Sequence, residues 1–162
     1  MRQADLTIAL DRWEGTSDRV MGGVSVERVT VERVDGRCWL RLTGRVSLES
    51  NGGFVQMAVD LTPDGGPVDL SAFGGVRLLM RGNGEDYGCH LRTAACMRPW
   101  QSYRAGFTAP AAATLVELPF AAFVPHRIEA ALDPRTLRRL GLVAIGRAFE
   151  ADLAVAEVAF YG

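Results

Sequence analysis

Polar side chains with the chemistry to bind a ligand recur at every second position of three short segments. The residues concerned are Gln56, His90, Arg92, Ser102 and Arg104. Successive side chains of a β-strand point to opposite faces, so these five share one face if their neighbours form the core. Guanidinium, imidazole, amide and hydroxyl groups hydrogen-bond polar ligands. Trp100, on an adjoining loop, adds an aromatic surface of the kind that anchors sugars or peptides.

The alternate positions of the same segments are apolar, and we predict that they form the core. Its members are Val55, Met57, Cys89, Leu91, Tyr103 and Phe107. We therefore interpret Gln56, His90, Arg92, Trp100, Ser102 and Arg104 as a binding face. The alternative is a solvated sheet face with ordinary charges, which antiparallel sheets commonly have.

The sequence does not single out catalytic residues, a metal site or a cofactor site. All 18 basic residues are Arg, so a catalytic lysine is excluded. There is no Gly-x-Ser-x-Gly motif. Cys89 and His90 are adjacent, and on a strand they point to opposite faces, so they do not share an ion easily. An enzyme would instead require His90 with a strongly shifted pKa in a cleft beside Arg92 and a carboxylate.

Length and composition favour one globular domain over residues 1–162, with 48% hydrophobic residues. A net charge of -1 argues against a general nucleic-acid or anionic-membrane binder. The amino terminus does not resemble a signal peptide, and no apolar stretch is long enough to span a membrane. Three scattered cysteines fit a reducing compartment. We expect a cytoplasmic protein.

Short alternating segments separated by Gly, Asn and Asp predict an all-β sandwich of two antiparallel sheets. The alternation slips between Val26 and Val29, which predicts a bulge. Residues 50–54 predict a turn, and residues 81–87 predict a hairpin. One short helix is predicted near 133–141, with Asp133 as its cap and Gly141 at its end. Asp18 is expected to hydrogen-bond local backbone in a turn.

Several motifs, taken in order, resemble the complex I intermediate-associated protein family. They are SDRVMGGVS at 17–25, NGGF at 51–54, DLSAFGG at 69–75, RGNG at 81–84, LRT at 91–93, YRAGF at 103–107, PFAAFVP at 119–125 and LGL at 140–142. Asn83 and Thr114 depart from the family, which usually has Asp and Trp there. The chain resembles the bacterial members of the family, which are mostly stand-alone domains.

The resemblance implies a galactose-binding-like jelly roll and no catalytic activity. Eukaryotic members of the family act as assembly factors for a membrane-arm intermediate of respiratory complex I. The first hypothesis is thus a non-catalytic module that holds a protein partner, possible partners including such an intermediate. Because carbohydrate-binding modules share the fold, the alternative is a module that binds a sugar or small ligand on the concave sheet face. A sandwich edge could also pair with a second copy.

Overall fold

Two antiparallel sheets face each other in the computed structural model, which describes residues 5–49 and 53–162. Sheet A contains β1 (Leu6–Thr7), β3 (Val26–Val34), β4 (Arg37–Val46), β6 (Gly75–Gly82), β9 (Thr114–Pro119) and β12 (Phe149–Tyr161). Sheet B contains β2 (Glu14–Ser17), β5 (Phe54–Asp60), β7 (Asp86–Thr93), β8 (Ser102–Thr108), β10 (Val124–His126) and β11 (Leu137–Ile145). The order in sheet A is β3-β4-β12-β6-β9 with β1 beside β12, and the order in sheet B is β10-β8-β7-β11-β5-β2.

The core lies between the sheets and consists of the inward-facing residues of both. The six residues predicted for the core, namely Val55, Met57, Cys89, Leu91, Tyr103 and Phe107, are all buried there. The predicted all-β jelly-roll sandwich is confirmed. Neighbouring strands come from distant parts of the chain, since β12 lies between β4 and β6, and β11 lies between β5 and β7.

The helix predicted near 133–141 is much shorter than expected. Asp133 does cap a 3-10 turn, but that turn comprises only Pro134–Thr136. Leu137 already belongs to β11, and Gly141 is a strand residue rather than a helix end. The physical reason is tertiary: β11 hydrogen-bonds to both β5 and β7, and its apolar residues are buried between the sheets. Strand pairing in the sheet interior outweighs local helix propensity.

Two further local predictions are wrong. The pairing of β3 with β4 is continuous from Val26 to Val34, so there is no bulge at the slip in alternation. The slip reflects the edge position of β3, where both faces are partly solvated. Residues 81–87 do not form a hairpin, because β6 belongs to sheet A and β7 to sheet B. The RGNG turn carries the chain from one sheet to the other.

The carboxylate of Asp18 joins three segments of the chain. Asp18 is fully buried and lies in a 3-10 turn, Asp18–Met21. It accepts hydrogen bonds from the backbone N–H groups of Ser25 (2.9 Å), Gly53 and Phe54 (3.1 Å), and from the Ser25 hydroxyl. The expected local turn is therefore also a long-range contact between two family motifs. Ser50, Asn51 and Gly52 of the predicted turn lie outside the described residues.

The two adjacent glycines of the same motif, Gly22 and Gly23, are each required for a different structural reason. Gly22 ends the 3-10 turn with φ at 87°, in the left-handed region that favours glycine. Gly23 lies against Asp18, and a Cβ atom at Gly23 would overlap the carboxylate oxygen. The sequence Asp-x-x-x-Gly-Gly thus builds a compact turn around a buried negative charge.

We predict that Asp18→Asn lowers the free energy of unfolding by about 2–4 kcal/mol. The amide cannot accept all four hydrogen bonds, and buried N–H groups lose their partner. Urea unfolding at pH 7 measures the change. Asp64→Asn is the matched control, because Asp64 is an exposed carboxylate in an ordinary turn. A loss no larger in Asp18→Asn than in Asp64→Asn would contradict this role for Asp18.

The same carboxylate gives a pH prediction. Burial tends to raise the pKa of Asp18, but hydrogen bonds from the Ser25 hydroxyl and from the N–H groups of Gly53, Ser25 and Phe54 lower it overall below 3.8. A carboxyl whose folded pKa is lowered stabilises the fold above its unfolded pKa and loses this effect as pH falls through the folded value. Unfolding free energy should thus decrease below pH ~4. The decrease should be smaller in Asp18→Asn, and an equal decrease in both proteins would contradict the prediction.

Candidate functional site

The outer face of sheet B is hollowed into a cavity of about 790 Å³, and we call this surface the concave face. All six residues predicted to form the binding face line this cavity: Gln56, His90, Arg92, Trp100, Ser102 and Arg104. They come from β5, β7, β8 and the loop before β8. A second cavity of about 250 Å³ adjoins the first and shares His90, Arg104, Val143 and Ile145 with it. The predicted residues are thus neighbours; whether they bind a ligand remains a prediction.

Small residues give the concave face its depth. Strand register places Gly88 opposite Gly106, and places Gly141 opposite His90 on one side and Ala58 on the other. The His90 ring lies over Gly88, where a Cβ atom would come within 2.9 Å of Nε2. A Cβ atom at Gly141 would lie 3.1 Å from the Gln56 side-chain oxygen. Glycines at the centre and long side chains around them produce the hollow.

Arg104 lies where the two cavities meet. Its Nε donates to the Ser102 hydroxyl at 2.9 Å, which orients the guanidinium along β8. Within the described ranges, no carboxylate forms an ion pair with Arg104. Burial, and then the charge of Arg127, lower the pKa of Arg104 from its ordinary value. The result is a partly desolvated cation with donors left for a ligand.

Arg92 positions the loop that carries Trp100. Its guanidinium donates to the backbone carbonyls of Pro99 (2.9 Å) and Cys96 (3.3 Å). The side-chain oxygen of Gln101 accepts from the N–H groups of Met97 and Arg98, both at 2.9 Å. Trp100 remains 55% exposed at the rim of the cavity. Two of the Arg92 donors therefore support the loop, a role that the sequence did not indicate.

His90 is a neutral imidazole at physiological pH. Burial, followed by the charges of Arg104 and His126, lowers the pKa of His90 to about 3. A general base near neutral pH requires a pKa close to the working pH, and this one lies far below. Cations rather than a carboxylate dominate its surroundings. Asp60, a carboxylate that lines the same cavity, is paired with Arg139 at 2.7 Å, and the neutral His90 ring offers one donor and one acceptor.

Other lining residues were missed because their elements were misassigned or because they are apolar. Arg138 and Arg139 line the cavity from β11, whose first half was predicted to be helical. Arg139 pairs with Asp60 at 2.7 Å. The apolar lining residues that were missed include Val20, Val143 and Ile145, whereas Phe54 belongs to the turn predicted at 50–54. Extending the alternation of residues 142–145 backwards through Gly141 would have placed Arg139 on this face.

The described residues do not contain a cluster of three or more His, Cys, Asp and Glu side chains that could hold a metal ion. Cys89 lies in the core and His90 on the opposite face, as their strand positions predict. Burial raises the pKa of the Cys89 thiol. Among the described residues, no helix is long and apolar enough to cross a membrane.

The two facing antiparallel sheets define a jelly-roll β-sandwich. The chain superimposes on a family 11 carbohydrate-binding module from Clostridium thermocellum in complex with a β-1,3-1,4-mixed-linked tetrasaccharide (TM-score 0.77, 11% identity, 98% of this chain and 95% of that chain). It also superimposes on a family 30 carbohydrate-binding module (TM-score 0.71, 17% identity, 98% and 88% of the two chains). An exo-β-agarase matches over 24% of its own length (TM-score 0.58, 10% identity, 96% of this chain). At these identities the likeness shows the fold alone.

Sequence similarity identifies the family. The profile of complex I intermediate-associated protein 30 (CIA30) matches residues 2–155, and the chain belongs to this family. No protein of curated function matches the sequence. The two positions that depart from the family pattern lie away from the concave face: Asn83 hydrogen-bonds Tyr87 and the Glu150 carbonyl, and Thr114 begins β9 in sheet A.

We predict that the ring of His90 does not titrate between pH 8 and pH 5, because its pKa is about 3. Removing the neighbouring charge in Arg104→Gln should raise the pKa of His90, although burial will keep it below 6.5. Imidazole carbon and nitrogen shifts in an NMR pH titration measure this. Arg28→Gln, on the outer face of sheet A, is the control and should not change the titration. A wild-type His90 pKa near 6.5 would contradict the prediction.

Proposed function

We propose that the chain is a non-catalytic binding module that holds an extended segment of a protein partner on the concave face. The observation that carries the proposal is that the six side chains predicted to form the binding face line one cavity of about 790 Å³. A further cavity of about 250 Å³ lengthens this surface into a groove. Membership of the CIA30 family supports a protein partner, namely an assembly intermediate of respiratory complex I.

The roles within this site follow from the contacts described above. Trp100 supplies an exposed aromatic surface at the rim, and exposed tryptophans are frequent hot spots of interfaces. Arg92 holds the loop that presents Trp100. Arg104 and Ser102 provide polar contacts, while Gln56 and the neutral His90 each combine a donor and an acceptor.

Sugar binding is the second candidate function. It is favoured by the superposition on a carbohydrate-binding module that was solved with a tetrasaccharide. Concave sheet faces with an exposed aromatic side chain can also bind sugar rings. A binding experiment distinguishes the two functions, because the first predicts that a protein binds to this face and the second predicts that a purified glucan does.

The test is an affinity capture from the host with the tagged chain and two variants, Trp100→Ala and Arg104→Ala. We expect the wild type to capture subunits of a complex I assembly intermediate. Each variant should reduce the captured amount at least tenfold, because hot-spot truncations cost about 2 kcal/mol or more. The matched controls are Leu115→Ala and Arg28→Ala, which lie on sheet A and should retain capture.

Equal capture by all five proteins would show that the concave face is not the interface. Capture of no complex I subunit, together with retardation of the wild type in a gel containing mixed-linkage β-glucan, would favour the sugar hypothesis. Thermal unfolding of each variant ensures that a loss of capture does not reflect a loss of folding.

A further inference from the structure

The concave face carries an excess of positive charge. Four arginines line the larger cavity: Arg92, Arg104, Arg138 and Arg139. Among the described residues of that lining, Asp60 is the only acidic one, and it is paired with Arg139 at 2.7 Å. The chain as a whole has a net charge of -1, so the cations are concentrated here rather than spread evenly. A cavity of one sign attracts ligands of the opposite sign.

Among the half-buried arginines of the cavity, Arg104 has the most hydrogen-bonding capacity left for a ligand. Arg139 is paired with Asp60, and Arg92 donates to two backbone carbonyls. Arg138 also uses only its Nε, which donates to the Gly65 carbonyl at 3.1 Å, but its side chain is exposed to solvent. Arg104 has only the Ser102 hydroxyl as a hydrogen-bond partner in the described part of the chain, through Nε. Its two terminal nitrogens can therefore bind a planar acceptor, and a carboxylate fits this fork with two parallel hydrogen bonds.

Hydrogen-bond donors outnumber acceptors around Arg104. The guanidinium donates only, the neutral His90 beside it offers one donor and one acceptor, and the Trp100 indole donates only. Sugar hydroxyls donate as readily as they accept and would need free acceptors on the protein. A peptide backbone carries one donor and one acceptor per residue, but an acidic side chain adds a carboxylate, which only accepts and therefore suits a group that only donates, such as Arg104.

The concave face is apolar where Ile145 of β11 lies opposite Phe54 of β5, and we call this pair the apolar row. Gly141, four residues earlier on β11, lies opposite His90, which in turn lies opposite Arg104. We call these three residues the Arg104 row. At about 3.4 Å per strand residue, the apolar row and the Arg104 row are roughly 13 Å apart along the strands. A ligand that used both rows would be an extended segment with an acidic residue and an apolar residue about four positions apart.

We propose that the concave face binds an acidic peptide segment, with a side-chain carboxylate of that segment held by Arg104 and an apolar side chain against Phe54 and Ile145. This inference rests on the proposed function and specifies the chemistry of the partner. It commits to a peptide; an acidic sugar is an outcome that would contradict it.

The experiment titrates the full-length chain, labelled with nitrogen-15, with four probes. Two are short capped peptides in which a valine lies four positions from a glutamate, or from a glutamine, with glycine and serine between them, so that both side chains share one face of an extended segment. The others are trigalacturonate, an acidic sugar, and a neutral mixed-linked β-glucan tetrasaccharide. The readout is the shift of backbone amide signals on β7, β8 and β11, together with the dissociation constant. Arg104→Gln removes the charge, and Arg104→Lys retains the charge but cannot donate two parallel hydrogen bonds. Arg28→Gln is the matched control.

We expect the glutamate peptide to perturb the concave face and to bind at least tenfold more tightly than the glutamine peptide. Arg104→Gln should weaken its binding at least tenfold, Arg104→Lys less, and Arg28→Gln not at all. Equal binding of the two peptides to this face would overturn the carboxylate proposal and leave the proposed function intact. Binding of trigalacturonate but not of the glutamate peptide would overturn the peptide assignment.

Binding of the neutral tetrasaccharide alone would contradict the proposed function as well. The absence of any shift with all four probes at millimolar concentration would overturn the inference.

Discussion

The buried carboxylate of Asp18 is the constraint on which one end of the sandwich depends. A buried charge is costly unless it is well hydrogen-bonded, and Asp18 meets this requirement with donors from Ser25, Gly53 and Phe54. Ser25 precedes β3 of sheet A and Phe54 begins β5 of sheet B, so one carboxylate fixes strands of both sheets relative to each other. Phe54 also lines the cavity. The turn therefore sets the position of the apolar end of the concave face. We do not expect any charged residue of the turn itself to bind the ligand.

Strand alternation was sufficient to predict the sandwich and the phase of its central strands. Once Cys89 and Leu91 are in the core, His90 and Arg92 must lie on the outer face, and the same holds for Gln56 between Val55 and Met57. What alternation cannot provide is the order of strands. It could not show that β7 lies between β8 and β11, which is what brings His90 beside Arg104. The predicted hairpin at 81–87 was wrong for this reason, since a turn motif does not reveal which sheet the next strand joins.

The error at β11 shows how a local signal can be correct and still mislead. Asp133 and Pro134 do begin a 3-10 turn, but the leucines that follow at helical spacing are also at positions that a bulged strand buries. The register shift between Leu137 and Arg139 accounts for the pattern, because a bulge changes the phase of alternation. It also brings Arg139 to the concave face opposite Arg92. Two arginines of the site were consequently missed, and with them the extent of its positive charge.

A shared fold does not transfer a ligand, because the ligand is set by the side chains on the concave face. The jelly roll provides a hollow here because glycines occupy its centre, and this feature suits any extended ligand. The selectivity must come from the residues around the hollow, and the described residues of the larger cavity include four arginines and a single carboxylate, Asp60, which is paired with Arg139. Each cation except Arg104 is already bound to a carboxylate or to a backbone carbonyl. A partly desolvated, unpaired cation is unfavourable in the free protein. A ligand that brings a negative charge to Arg104 therefore gains binding free energy from the ion pair. The residues that maintain the hollow and the residue that selects its occupant are thus distinct, and substitutions can separate them.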